Sequence, residues 1–389
     1  MKVSIMNIKA IAIAAAAAAT ATSGQAADLP VDTAPVDYVR IDDAYGAGFF
    51  VLPGTETAIK IGGQIRVEAQ FNNLTKDEDF STAKDPENKN QNFRSRANVR
   101  IDTRTQSELG LIRTFTDLQI TSDSEGRDAE TVELDKAFVQ VGGLTVGRAT
   151  SAFDLWTGEL ATNVQGIYVS DSNAWQASYT YGLTNGLTVT GSLEDYSDRR
   201  NGIVGGTDAG NTVPTFVGNA RVDQGWGWAG VSGAVTKVDS PDAASSTAGY
   251  AIAAGFGVNL DMIAPGDVIN FQAAYADGAL SYVGSDAADA AVSGNDKLKT
   301  TEAWSVAAGY MHNWTSQIAT GIEASYLDVD YAAVATENDF TKTVVAGSVE
   351  YTPVAGLLFS AGAGWEQTDE ATKAKTDAAS VNLRVQRSF

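Results

Sequence analysis

The stretch AIKIGGQIRVEAQF, residues 58–71, alternates between apolar and polar side chains for fourteen positions. Ile59, Ile61, Ile65, Val67, Ala69 and Phe71 share one parity; Lys60, Gln64, Arg66, Glu68 and Gln70 share the other. A two-residue period marks a strand with two unlike faces. Strands of globular domains usually run about five or six residues, so the partner of so long an apolar face constrains the whole fold. NFRSRANVRIDTRT, residues 92–105, repeats the pattern: Phe93, Ala97, Val99 and Ile101 face one way, Arg94, Arg96, Asn98, Arg100, Asp102 and Arg104 the other. In a soluble core that row of arginines would cost several kcal/mol per unpaired charge. Bulk water or a water-filled lumen can take them. Only the lumen also explains why the opposite face stays apolar along its length.

The alternation recurs from Ala58 onward and predicts sixteen strands, at 58–72, 92–105, 109–121, 132–142, 144–149, 173–182, 186–195, 216–225, 227–238, 248–260, 267–279, 300–313, 316–330, 340–352, 356–367 and 378–389. Their connectors alternate between long and short. NNLTKDEDFSTAKDPENKNQ, SDSEGRDAE, RATSAFDLWTGELATNVQGIYVSDSN and YSDRRNGIVGGTDAGNTVPT are long; TQSE, GG, GLTNG, GWG, MIAPGD, NWTSQ and PVAG are short. In a closed meander, alternate connectors lie at one end. Tight turns at one end and long loops at the other are the habit of outer-membrane barrels, not of Greek-key sandwiches. The expectation is an all-β, transmembrane, sixteen-stranded antiparallel barrel over 58–389, with both termini at the short-turn end.

Residues 1–26 have the charged start, short apolar run and small-x-Ala end of an export signal. Without its Lys2 and Lys9 the formal charge of −21 becomes −23. So acidic a chain repels nucleic acid, and no nucleic-acid partner is expected. With no cysteine there is neither a disulfide framework nor a thiolate site. After Ala27 no apolar run approaches the roughly 18 residues of a membrane helix. Trp175, Trp226, Trp228, Trp304, Tyr310, Trp314 and Trp365 fall near predicted strand ends, where interfacial belts need them. SVNLRVQRSF again places Val381, Leu383, Val385 and Phe389 on one parity, Asn382, Arg384 and Gln386 on the other.

VDYVRIDDAYGAGFFVLPGTETAIKIGG (36–63), AFVQVGGLTVGRATSAFDLW (137–156), VGNARVDQGWG (217–227), MIAPGDVINFQAAYADGAL (262–280) and LRVQRSF (383–389) resemble the alphaproteobacterial general porins, the family of the Brucella and Rhizobium-type major porins. The resemblance implies a homotrimer in the bacterial outer membrane, with lipid and lipopolysaccharide around it and small hydrophilic solutes and ions passing through. The first few strands and the last are expected to meet neighbouring subunits, with SDSEGRDAE reaching across. The third long loop, 149–172, is expected to fold inward and constrict the pore. Relatives of this kind are expected to carry cysteines near Asp42 and Ala58; here there are none, so residues 27–57 must be held on the short-turn side by packing.

No catalytic, cofactor or metal site is expected. The single histidine, His312, reads as an interfacial turn residue, and no glycine-rich strand-to-helix unit cradles a phosphate. The acidic loops NNLTKDEDF, TSDSEGRDAE and VGSDAADAAVSGND lack the ligand spacing of an EF-hand. What remains is a charge arrangement for passage. Lys60, Arg66, Arg94, Arg96, Arg100 and Arg113 are expected along the wall, with Arg148 at the base of the inward loop and Asp154 and Glu159 near its middle. Positive wall against negative loop makes a transverse field that favours hydrophilic solutes. A substrate-selective channel is the alternative, requiring aromatic tracks along the lumen. A soluble adhesin or lectin would instead need its apolar strand faces to meet one another.

Overall fold

A computed structural model describes residues 40–41, 43–72, 74, 91–124, 130–158, 160–161, 166–210, 213–332 and 338–389. The expected leader, residues 1–26, lies outside the described residues, as does 27–39. Sixteen long strands follow one another: β1 (Ala58–Phe71), β2 (Gln91–Ser107), β3 (Gly110–Asp123), β4 (Glu130–Val141), β5 (Leu144–Thr150), β6 (Asn173–Gly182), β7 (Leu187–Glu194) and β8 (Thr215–Gln224). Then come β9 (Gly227–Val238), β10 (Thr247–Asn259), β11 (Val268–Asp277), β12 (Glu302–Asn313), β13 (Ile318–Asp330), β14 (Phe340–Val354), β15 (Leu357–Glu370) and β16 (Thr376–Ser388). Each pairs antiparallel with the next, and β16 returns to β1, from Val381 opposite Phe71 to Ser388 opposite Gln64. The sheet is a closed barrel, which leaves no strand edge unpaired.

The burial pattern is the reverse of a soluble protein's. On β1, Ile61, Ile65 and Val67 are 49–54 % exposed. Val99, Ile101, Leu383 and Val385 are exposed as well, while Glu68, Asn98, Asn382 and Arg384 on the opposite parity are buried. Rows of isoleucine and valine in water would forfeit roughly 25 cal/mol per Å²; against hydrocarbon they forfeit nothing. Trp175, Trp226, Trp304 and Trp314 stand on the exposed surface. Trp228 does not: it shares the inward parity of buried Ser232 and Ala234, and Arg221 lies 4.4 Å over its ring. Gly257 makes the room, since a Cβ there would come 2.2 Å from the indole nitrogen.

Boundaries differ from the expected ones where local contacts intervene. β12 begins at Glu302 rather than 300, because residues Leu298–Thr300 pair with Ala290–Val292 inside a long loop. In β4 the alternation breaks between Leu134 and Lys136; the register against β3 shifts there, leaving Asp135 as the additional residue of a bulge. Tight turns close one end. At the β6–β7 turn Gly186 has φ +74°, and a Cβ would meet the Asp223 carbonyl oxygen at 2.1 Å, so glycine is required.

At that same end Phe389 exchanges two backbone hydrogen bonds with Gly63. The stretch before β1 packs there without a disulfide. Phe50–Val51 pairs with Arg40–Ile41 on one side and Ala58–Ile59 on the other. Phe49 is buried beneath the Arg104 guanidinium, 4.7 Å away, and Lys60 Nζ donates to the Ala47 carbonyl at 3.0 Å.

Candidate functional site

Antiparallel register builds one wall of the lumen. It sets Asp123 opposite Arg94, Thr121 opposite Arg96 and Asp117 opposite Arg100. Arg94 Nε reaches Asp123 at 2.8 Å, Arg96 Nε donates to the Thr121 hydroxyl at 3.2 Å, and Arg100 Nε reaches Asp117 at 2.7 Å. Towards the short-turn end, Asp102 takes both Arg104 at 3.2 Å and Arg113 at 3.0 Å. Arg66 faces Arg96 across the β1–β2 ladder and donates to Gln386 at 3.2 Å. The cations lie outermost: the Arg100 side chain is 43 % exposed, that of its partner Asp117 only 5 %. These carboxylates orient guanidinium groups towards water.

The opposite wall, β9 to β13, carries small inward residues: Ala234, Ala251, Ala253, Ala274, Ala276, Ala303 and Ala307 are all buried. Phe153 and Leu155, from the segment after β5, pack in one buried cluster with these alanines other than Ala307. Phe153, Leu155 and Trp156 are 0–3 % exposed. Backbone groups of this loop reach side chains of the wall: Ser232 Oγ donates to the Phe153 carbonyl at 2.7 Å, Trp156 N to Gln272 Oε1 at 3.3 Å and Tyr168 N to Ser325 Oγ at 3.1 Å. Leu160 N donates to Glu323, and Tyr168 OH to Glu366 at 3.1 Å. Gly321 on β13 is what permits this approach, because a Cβ there would lie 1.8 Å from the Leu160 carbonyl oxygen.

The loop's base is tied to its neighbours. Glu194 accepts from Ser151 Oγ at 2.7 Å and Ala152 N at 2.8 Å. Asp154 is not presented to water: its side chain is fully buried, accepting from Ser170, Ser172 N and Arg199, the last at 3.1 Å. Arg199 is itself buried and lies 4.3 Å over the Tyr282 ring, which packs on Phe153 at 4.5 Å. The expected role of Asp154 as an open carboxylate facing the arginine row is therefore corrected. A desolvated carboxylate takes the nearest cation, and that cation comes from the next long loop. Glu159 lies outside the described residues, as do 162–165; of the loop's other acids, Asp171 is exposed and accepts from Gly158 N at 3.0 Å. Arg148 is drawn into an ion pair with Asp198 rather than towards the arginine row, and Lys60 is held by the stretch before β1.

Two neighbouring loops complete the cover. Ile203–Val204 pairs parallel with Ala290–Val292. Buried Asp289 joins the loops, accepting from Leu280 N at 2.8 Å, Asn201 N at 3.2 Å and Tyr196 OH at 3.3 Å. Burial pushes its carboxyl up to about 7, against those three donors. Sequence reasoning missed Arg199, Glu194, Gln272, Glu323 and Gly321. For Glu194, Gln272, Glu323 and Gly321 the trace is a bulky polar residue or a glycine on the inward parity of a strand; Arg199 lies in the 3-10 turn Ser197–Arg199 of a long loop, where no periodicity marks it.

With this geometry in place, residues 28–387 match the family model described as the porin subfamily. The chain belongs to that family. The porin is 33 % identical over 239 residues to Porin Omp2b of Brucella canis, an alignment covering 57 % of this chain and 64 % of the relative. It thus spans just under two thirds of that relative's length. Among solved structures it is similar to the outer membrane channel DcaP of Acinetobacter baumannii, with TM-score 0.69 and 18 % identity over 86 % of this porin and 97 % of that chain. The trimer form of the outer membrane protein OmpT of Vibrio cholerae gives TM-score 0.53 and 10 % identity over 86 % and 100 %. Both likenesses concern the fold. Family and barrel together place the porin in the bacterial outer membrane.

Proposed function

We propose that this porin forms a water-filled channel for passive diffusion of small hydrophilic solutes and ions, with residues 150–172 as the segment that narrows it. One observation carries the reading: the apolar faces of a closed barrel are exposed and its charged faces turned inward, an arrangement that is stable only with lipid outside and water within. The arginine wall gives passing solutes a charged surface, and the loop on the alanine wall takes up the rest of the section. Arg66, Arg94, Arg96, Arg100 and Arg113 are the wall residues of this reading, with Lys60 near the short-turn mouth and Glu159 assigned near the middle of the loop.

We further propose a homotrimer embedded in lipid and lipopolysaccharide, with the first strands and the last at the subunit contact; the trimer form of the structurally similar OmpT supports it. Purified full-length protein in a planar bilayer tests both parts. The expected record is stepwise conductance in groups of three. Absence of any conductance from protein that migrates as a folded barrel would overturn the channel, and single steps would overturn the trimer.

A further inference from the structure

On the outer surface of β12, Tyr310, His312 and the following Trp314 share the parity of exposed Trp304. Beside them Asp267, the residue before β11, continues the parity of exposed Ile269 and Phe271. All four stand at the short-turn end, which in outer-membrane barrels is periplasmic. We propose that they form a binding site for the primary ammonium group of an aminophospholipid in the periplasmic leaflet. This rests on the membrane placement of the barrel, not on passage through it.

Charge and shape argue for a cation. The Asp267 side chain is fully enclosed, and its carboxylate accepts from Tyr310 OH at 2.8 Å, from Asn313 N at 2.8 Å and from His312 Nδ1 at 2.7 Å. Enclosure opposes its charge, but the donors prevail and hold its pKa down to about 2. Among the described residues no lysine or arginine pairs with this carboxylate on the lipid-facing side, so with an uncharged imidazole at 312 the site is negative. In the uncharged imidazole, a proton on Nδ1 directed at Asp267 puts the lone pair on Nε2. Among the described residues that nitrogen has no protein partner, and the ring is 21 % exposed. Trp314 stands edge-on to His312 at 4.4 Å and is 62 % exposed, with its indole nitrogen tied to Thr320 at 3.1 Å. A negative surface made of the Tyr310, His312 and Trp314 rings in a row beside a carboxylate, with one acceptor open, suits a small organic cation. At this depth the cation at hand is the headgroup of an aminophospholipid.

Native mass spectrometry of the folded porin in detergent, titrated with phosphatidylethanolamine or phosphatidylglycerol of matched chains, tests this. Retention of the ethanolamine lipid is expected to exceed that of the glycerol lipid about tenfold. Asp267→Asn should abolish the preference, and Trp314→Leu, at an exposed position where truncation leaves no buried void, should weaken it several-fold. Heat-dependent gel migration identifies the folded fraction, and single-channel conductance should be unchanged in both variants. Equal retention of the two lipids by wild type overturns the site, as does an unaltered preference in folded Trp314→Leu. Displacement of the lipid by free ethanolamine at equal concentration overturns its assignment to a membrane lipid.

Discussion

The two halves of the barrel wall obey the same alternation and use it for opposite ends. On β1 to β3 the inward residues are long and charged, and water reaches them: the Arg94, Arg104 and Arg113 side chains remain 25–29 % exposed. On β9 to β13 many inward residues are small, Ala234, Ala251, Ala253, Ala274, Ala276, Ala303, Ala307 and Ser325 among them, and these are buried. Arg94 and Arg100 are held upright by carboxylates on the next strand, whereas small residues leave a recess occupied by Phe153 and Leu155, with Trp156 against Gly309. A lumen can therefore be hydrophilic on one side and core-like on the other, and side-chain volume at inward positions decides which.

The sharpest way to break this contrast is at the pair that anchors the loop. Arg199→Ala leaves Asp154 buried without its cation, which should cost about 3–5 kcal/mol of local stability. Hydrogen exchange should show residues 150–172 losing protection while the strands keep theirs. The double variant Arg199→Ala, Asp154→Ala should recover much of it, since no lone charge then remains; failure to recover would mean the ion pair is not the anchor.

Next in size is Gly321→Leu, which puts a side chain where the Leu160 carbonyl now lies. Overpacking costs about 1–3 kcal/mol, and displacement of the loop relieves it more readily than distortion of a sixteen-stranded sheet. Single-channel conductance should rise; a conductance equal to wild type would place the loop elsewhere than in the current's path.

On the charged half, Arg94→Ala, Arg96→Ala, Arg100→Ala should shift selectivity towards cations with the barrel still folded. The effect should be greatest in dilute salt, because at about 0.01 M the screening length reaches roughly 30 Å. Reversal potentials under a salt gradient measure it, and an unmoved potential would show that these arginines do not face the permeating ions.

The smallest expected effect is a pH dependence in the outer loops. The Asp289 carboxyl is raised on folding, to about 7. Its folded form thus binds a proton that the unfolded chain has released, so its contribution is fully present below about pH 4 and is lost as pH rises through 7. Residues 195–210 and 278–301 should resist proteolysis better at pH 5 than at pH 8, and Asp289→Asn should flatten that difference.

Much of this architecture is legible before any coordinates. AIKIGGQIRVEAQF and NFRSRANVRIDTRT state their faces outright, because a strand's period of two admits no compromise between lipid and water. The spacing of tight turns and long loops likewise implies closure. Where the signal weakens, a local cause is visible: the bulge at Asp135 interrupts the alternation of β4, and the loop sheet claims residues that would otherwise extend β12. The site was less legible. Arg94, Arg96 and Arg100 stand out by repetition, but the fate of Asp154 does not follow from its neighbours in the chain.

The sequence by itself therefore determined which side of each strand meets hydrocarbon, since that depends only on alternating side chains along one strand. Tertiary structure decided which charges pair and where the loop rests. Arg199 meets Asp154 across 45 residues, and Leu160 meets Glu323 across 163. Such partners are set by barrel closure and by the space small residues leave, and a desolvated carboxylate binds whichever cation that closure brings within reach.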